Sequence, residues 1–362
     1  MSSPSHATGR RGAVSLVITP LLSVMAAFAV GAIIIAWAGE NPLTIYRIVF
    51  SEALLQKAGW RDTLIRATPL VLIGVGLGLG FKADVWNIGA EGQMIVGALS
   101  SIAVIGYLND LPGAVLVPLG LLLGALGGGL WGALAGWIHV RHGVNVVIAT
   151  LLLVFIAEPI VTWAVRDPLQ DPESYLPQSR VVGNAALPEL GWIGVHVGVL
   201  LILVVVPVAA WLVSSTRLGF LIRAHGGNQL ATTTNEVRPG QLPLGLLTIG
   251  GALAGVAGFV QLAGVQNRVA SGTAAGFGFT AIIVAIVGRN HPVGVLVAAI
   301  GLSSMLVGAE AAQRESGLPV SLMDSIQALV VIFVVAGDAL ATRQRSRREV
   351  MTLSTQPDAV TA

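Results

Sequence analysis

About ten apolar runs punctuate this chain, and they leave it one class of fold. Between Ala13 and Ala38 there is no charged residue at all. A helix needs about 20 such residues to cross a hydrocarbon layer. Comparable runs follow at Thr63–Phe81, Ile88–Tyr107, Ala114–Ile138, Val144–Val165, Gly194–Val213, Leu242–Val265, Gly276–Val287, Val293–Glu310 and Asp324–Leu340. Charged residues make up 10% of the chain, against about 25% in a soluble domain. Backbone groups in lipid must bond within their own segment, which selects helices. The predicted fold is therefore all-α: a polytopic integral membrane helix bundle of about ten transmembrane segments. The run at Gly276–Val287 is short for a span and reads as a half-helix or re-entrant segment. Forty-five glycines suit such a bundle, because small residues let helix backbones approach in lipid.

Orientation follows from the basic residues, 18 of which are Arg and two Lys. Short basic flanks stay on the cytoplasmic side. Arg10 and Arg11 precede the first run, and Arg343, Arg345, Arg347 and Arg348 follow the last. Both termini are predicted cytoplasmic, with an even number of spans. Ten spans place Arg141, Arg217, Arg223, Arg238 and Arg289 inside, and the Asn41–Asp62 and Asp167–Glu173 loops outside. Residues 1–12 read as a disordered cytoplasmic tail, 13–342 as one transmembrane domain, and 343–362 as a basic, then disordered, cytoplasmic tail.

Several chemistries are excluded. The chain has no cysteine, hence no disulfide or thiolate metal site. It contains no G-x-x-x-x-G-K-[ST] loop to cradle ATP phosphates and no H-E-x-x-H. Its six histidines never take ligand spacing on one helix face. Gly301-Leu-Ser-Ser304 near His291 reads as small residues at a helix contact, not as an intramembrane protease.

Four segments carry the polar chemistry. Asn87-Ile-Gly-Ala-Glu-Gly-Gln93 sets a carboxylate, two carboxamides and two glycines between apolar runs. Polar groups at membrane depth are costly unless they face water or a partner, so Asn87, Glu91 and Gln93 are candidates to line or gate a solute path. The alternative is a plain cytoplasmic turn with Asn87 as an N-cap. Thr216–Gly240 is the longest cytoplasmic loop: a helix, a Gly226-Gly227 break, a short polar helix, then Pro239-Gly240. It is either a docking element for a soluble motor or a solvated connector. From Phe277-Gly-Phe279 to Gly288-Arg-Asn-His-Pro292, the glycines admit a solute or a neighbouring helix to the backbone. Phe277 and Phe279 offer aromatic faces there, although capping and packing explain the stretch as well. Finally, Asn145 opens the fifth run as a cap or a path residue, and Glu158 lies beside the kinking Pro159 further along it.

These segments, in this order, resemble the membrane permease subunits of bacterial ABC importers for nucleosides and simple sugars. More narrowly, they resemble the nucleoside-uptake branch. The matching stretches are Phe81–Gln93, Gly143–Thr150, Arg223–Asn228 and Gly278–Gly294, and the likeness extends over about residues 15 to 342. At Gly227 and Glu236 the chain reverses the family's usual acidic and small residues.

The resemblance implies a machine of several subunits. Its ATP-binding cassettes hold ATP and Mg, and this chain binds no cofactor and catalyses nothing. A second, non-identical permease subunit and an extracytoplasmic solute-binding lipoprotein complete it, in the lipid of a bacterial cytoplasmic (inner) membrane and with no nucleic acid partner. The resemblance also implies that Arg223–Val237 couples to the ATPase, with Arg223, Gly226, Gly227, Asn228 and Ala231 as candidates. An ion-coupled secondary transporter of a small polar solute is the competing expectation. It would need buried titratable groups, for which Glu91 and Glu158 are the candidates.

Overall fold

The computed structural model describes residues 25–108, 110–227, 240–272 and 276–317, with scattered helical positions between 322 and 337. Eleven helices are named here. They are α1 (Met25–Trp37), α2 (Pro42–Leu54), α3 (Lys57–Lys82), α4 (Ala90–Ile105), α5 (Gly113–His142), α6 (Val146–Ala164), α7 (Leu200–Ser215), α8 (Arg217–Gly227), α9 (Gln241–Gln261), α10 (Phe277–Val287) and α11 (Pro292–Ser316). A two-stranded antiparallel hairpin, β1 (Glu189–Leu190) and β2 (Val195–His196), lies between α6 and α7.

Among the described residues, six helices are long and apolar enough to cross a membrane: α3, α5, α6, α7 with the 3₁₀ turn before it, α9 with the π turn after it, and α11. The pair α1 and α2, bent by 119°, makes a seventh if counted as one span. One expected span, α4, is shorter than a crossing requires, and so is α10, already read as a half-helix. At 1.5 Å per residue, the 16 residues of α4 and 11 of α10 reach roughly 24 and 17 Å, short of the ~30 Å hydrocarbon core. Residues 42–54, expected as part of an outer loop, form α2 instead. Most of the expected Asp324–Leu340 span, and the first part of Ala13–Ala38, lie outside the described residues.

The chain divides into two compact units, Ala53–Ser304 and the two flanks Met1–Glu52 with Met305–Ala362. Within the flanking unit, Ile45 and Val49 of α2 share one face by their i, i+4 spacing. They pack with Ile35 of α1, Ala312 of α11 and Ile326.

In the larger unit α3 and α9 are central. Every residue of α3 from Ala67 to Phe81 is buried, as expected for a helix that is apolar all round. By contrast α5, α6 and α7 each keep a large apolar face exposed. Glycine decides how closely they pack. Along α5, Gly120, Gly124, Gly128, Gly132 and Gly136 recur every four residues and form one stripe. A Cβ on Gly124 would strike the Gly255 carbonyl of α9, one on Gly128 the Gly251 carbonyl, and one on Gly132 the Leu247 carbonyl. Gly97 of α4 meets the same Gly255 from its other side. Three helices therefore touch backbone to backbone, where van der Waals contact and not hydrophobicity holds helices in lipid.

Candidate functional site

After α3 the chain does not enter the next helix directly. Asp84 adopts φ +58°, the Val85 N–H returns to the Gly80 carbonyl at 2.9 Å, and residues 85–88 run without helix. Trp86 stacks on Phe81 at 4.6 Å and donates its indole N–H to Asp84 Oδ1 at 2.9 Å. This re-entrant stretch delivers Asn87 to the start of α4, inside the bundle.

Asn87, Glu91 and Gln93 are 3%, 6% and 1% exposed, so whatever satisfies them is protein. Asn87 Nδ2 donates to Gln93 Oε1 at 2.9 Å, and Gln93 Nε2 returns a bond to Asn87 Oδ1 at 3.3 Å. The same Asn87 oxygen accepts the Gly89 N–H at 2.9 Å. The Ile88 N–H donates to Thr150 Oγ1 of α6 at 3.2 Å. Gly89 is close enough to the Thr150 carbonyl that a Cβ there would lie 2.6 Å from it. A buried polar network with its members paired in this way is rigid and geometrically specific.

Glu91 does something different. Its Oε1 accepts the Gly276 N–H at 2.7 Å and its Oε2 the Gly278 N–H at 2.6 Å. These are orphan amides at the N-terminus of α10. Glu91 also sits in the first turn of its own helix α4, so one carboxylate faces the positive ends of two helix dipoles. Gly276 holds φ +82° as the N-cap of α10, a conformation that favours glycine. Gly278 must lack a side chain for a separate reason: a Cβ would collide with the Glu91 backbone.

The other path candidates fall elsewhere. Asn145 is exposed and caps α6, accepting the Val147 N–H at 2.8 Å. Phe279 is 43% exposed beside the Glu91 cap, and Phe277 is half-buried. Of the two readings of Gly276–Phe279, the close neighbour here is a helix.

Near the expected cytoplasmic face, α8 packs against the re-entrant stretch. Ile222 of α8 joins Ala83, Val85, Leu79 and Leu246 in one apolar cluster. A Cβ on Gly226 would strike the Lys82 carbonyl, and the Arg223 guanidinium donates to the Val213 carbonyl. Gly227 ends the helix, and nothing within 4 Å crowds it. Burial pushes the His225 imidazole down, against the opposing pull of Asp84. Asn228 and Ala231 lie outside the described residues.

At the other end, Asp171 pairs with Arg268, and Ser179 Oγ accepts the Val269 N–H at 2.9 Å. Isolated bridges join Gln170 to Ser179 and Gln178 to Ala270. The loop after α6 is thus fastened to the segment that leads into α10. The Glu173 amide, then Arg268, hold the Asp171 carboxyl below its ordinary range. His196 is buried against Gly198 and Gly264, and burial lowers its pKa. Nothing in the spacing of these residues pointed to that clamp, whose members lie 97 positions apart.

The family described as branched-chain amino acid transport system / permease component matches residues 59–335. Three characterised relatives are similar over nearly the whole chain. The glucose ABC transporter permease protein TsgB13 of Haloferax volcanii is 34% identical over 332 residues, covering 88% of this chain and 87% of that one. The guanosine ABC transporter permease protein NupP of Bacillus subtilis is 29% identical, covering 90% and 95%. The nucleoside ABC transporter permease protein NupB of Lactococcus lactis is 27% identical, covering 88% and 90%.

Proposed function

The chain belongs to the family of branched-chain amino acid transport system permease components, and we propose that it is the transmembrane subunit of an ATP-driven importer for nucleosides or simple sugars. It is a multi-pass membrane protein and a transporter component, not an enzyme. ATP and Mg reside on separate cassette subunits. An extracytoplasmic binding protein delivers the solute, and a second, non-identical permease completes the path in a bacterial cytoplasmic membrane. Both termini and α8 face the cytoplasm.

One continuous chain of contacts carries the mechanism. The cassettes push on α8 and the residues that follow it. Ile222 presses on Ala83 and Val85, two residues before Asn87. The Asn87–Gln93 pair transmits that displacement to the first turn of α4, and Glu91 passes it to α10 through the Gly276 and Gly278 amides. In this reading Asn87, Glu91 and Gln93 form the joint of the gate, while Phe277 and Phe279 stand at its edge. Alternating access requires the solute to bind the two states differently, so binding within the permease is weak and the delivering protein binds tightly. An ion-coupled carrier would use Glu91 or Glu158; two amides already occupy Glu91, and the ATP dependence of uptake decides the case for Glu158.

Uptake of labelled guanosine and labelled glucose, with and without this chain and with ATP depleted, tests the reading. Uptake of either solute that needs both chain and ATP supports it. Uptake that persists without ATP but collapses with the ion gradient overturns it.

A further inference from the structure

Glu158 of α6 makes no hydrogen bond in the joint just described, although it lies near enough to Glu91 for the two carboxylates to repel. Around α6 the large apolar residues Ile148, Leu152, Phe155, Ile156 and Trp163 are all exposed. At the margin of that face Glu158 and Thr162, four residues apart, align on one stripe, and Arg166 follows in the turn after the helix. Glu158 lies six residues before the end of α6, about 9 Å from it at 1.5 Å per residue. Among the described residues it makes no ion pair and accepts no hydrogen bond. A carboxylate at that depth, beside an apolar face, is sustainable only where water or a polar ligand reaches it.

The surface there is concave. Glu158, Pro159, Thr162, Trp163, Arg166 and Asp167 line a shallow, widely open depression of about 610 Å³. Its chemistry is mixed: Arg166 brings donors, and Glu158 and Asp167 bring acceptors. The Glu158 carboxylate accepts hydrogen bonds. Pro159 lacks the N–H that would engage the Phe155 carbonyl in a regular helix, so that acceptor is released as well. Thr162 meets Ser271 at 3.2 Å, which adds hydroxyls from the segment leading to α10. Trp163, 60% exposed, offers an indole face for a ring's C–H groups or for stacking.

We infer that this stripe is a solute subsite on the outer half of the transport path, where Glu158 receives vicinal hydroxyls of a sugar or of a nucleoside's ribose. The inference rests on the proposed importer reading and its orientation. A carboxylate has two acceptor oxygens and so accepts from both hydroxyls of a diol. Trp163 covers the ring they belong to. The exposed apolar face beside it, too large for a solute, is left for lipid or the second permease.

The absence of cysteine makes a direct test available. In the whole importer, Glu158→Cys and Thr162→Cys each introduce the single thiol of this chain, with Leu152→Cys on the exposed apolar face as control. A small hydrophilic thiosulfonate is expected to modify the first two and spare the third. Guanosine or glucose, whichever the wild type imports, is expected to abolish labelling at Thr162→Cys, where Glu158 remains. The matching 2′,3′-dideoxyguanosine or 2,3-dideoxyglucose is expected not to. Protection by guanosine alone identifies a ribose diol, and by glucose alone a hexose diol. Thiols that resist labelling at both positions, or labelling that neither solute slows, overturn the subsite. If the wild type imports neither of these nor any other nucleoside or simple sugar, the importer reading itself falls. If it imports one without protection, only the subsite falls.

Discussion

Glu91 and Gly278 are 187 positions apart, yet the carboxylate of one accepts the backbone N–H of the other at 2.6 Å. Two short helices that cannot cross the membrane alone meet at this bond. The charge that looks most costly in the chain is there to neutralise exposed amides.

Glu91→Ala leaves the Gly276 and Gly278 amides without their partner, at about 1–3 kcal/mol for each buried group. The expected result is a lower melting temperature for the detergent-solubilised complex and loss of ATP-driven uptake. Glu91→Gln keeps one acceptor oxygen but turns an NH₂ toward an N–H, so it is expected to fall between wild type and alanine. Unchanged uptake in both variants at normal expression would remove Glu91 from the gate.

Asn87 and Gln93 exchange two hydrogen bonds in a buried site. A double-mutant cycle with Asn87→Ala and Gln93→Ala is expected to give a coupling of about 0.5–3 kcal/mol in thermal stability. Strict additivity would mean the pair does not act as a unit.

Glycines at the helix seam should respond unequally to alanine. Gly255→Ala drives a methyl group into the Gly124 carbonyl, and overpacking of this kind costs roughly 1–3 kcal/mol or more. Gly245 lies in the same helix with nothing within 4 Å. Gly245→Ala is expected to be neutral or stabilising by about 0.4–1 kcal/mol. Melting curves of the two variants check the contrast.

Acid should loosen the proposed outer face in two stages. Burial lowers the folded-state pKa of His196, so the folded protein binds fewer protons than the unfolded chain. Its stability is complete above the unfolded value of about 6.5 and is lost as pH falls through the lower folded value. Asp171 is likewise depressed, by the Glu173 amide and then Arg268. Its contribution is present above about pH 3.9 and disappears below it. Melting temperatures from pH 8 to 3 should show the first loss abolished by His196→Gln and the second by Asp171→Asn.

Gly226 touches the Lys82 carbonyl with no room for a Cβ. On the proposed coupling route, Gly226→Val shifts α8 from the stretch that leads to Asn87. Uptake is expected to fall while the cassettes continue to hydrolyse ATP. Full uptake with normal assembly would exclude that route.

The class of fold was legible in the chain itself, because a membrane interior permits few alternatives. Runs such as Ala67–Phe81 and Leu242–Val265 carry no charge on any side, and their helices α3 and α9 lie at the centre. The five-membered glycine stripe of α5 is visible as a four-residue period, and Asn87–Gln93 stands out as polar sequence where lipid forbids it. Tertiary structure decided how those polar groups are used. Residue spacing cannot disclose that Glu91 caps a helix beginning at Phe277, or that Asp171 pairs with Arg268, since those partners are distant in the chain and meet only when helices pack. For the same reason the apolar run at α4 passed for a span, whereas the shortness of the run at α10 already marked it as a half-helix. Hydrophobicity measures what a segment tolerates, whereas its length and its partner at the break decide whether it crosses.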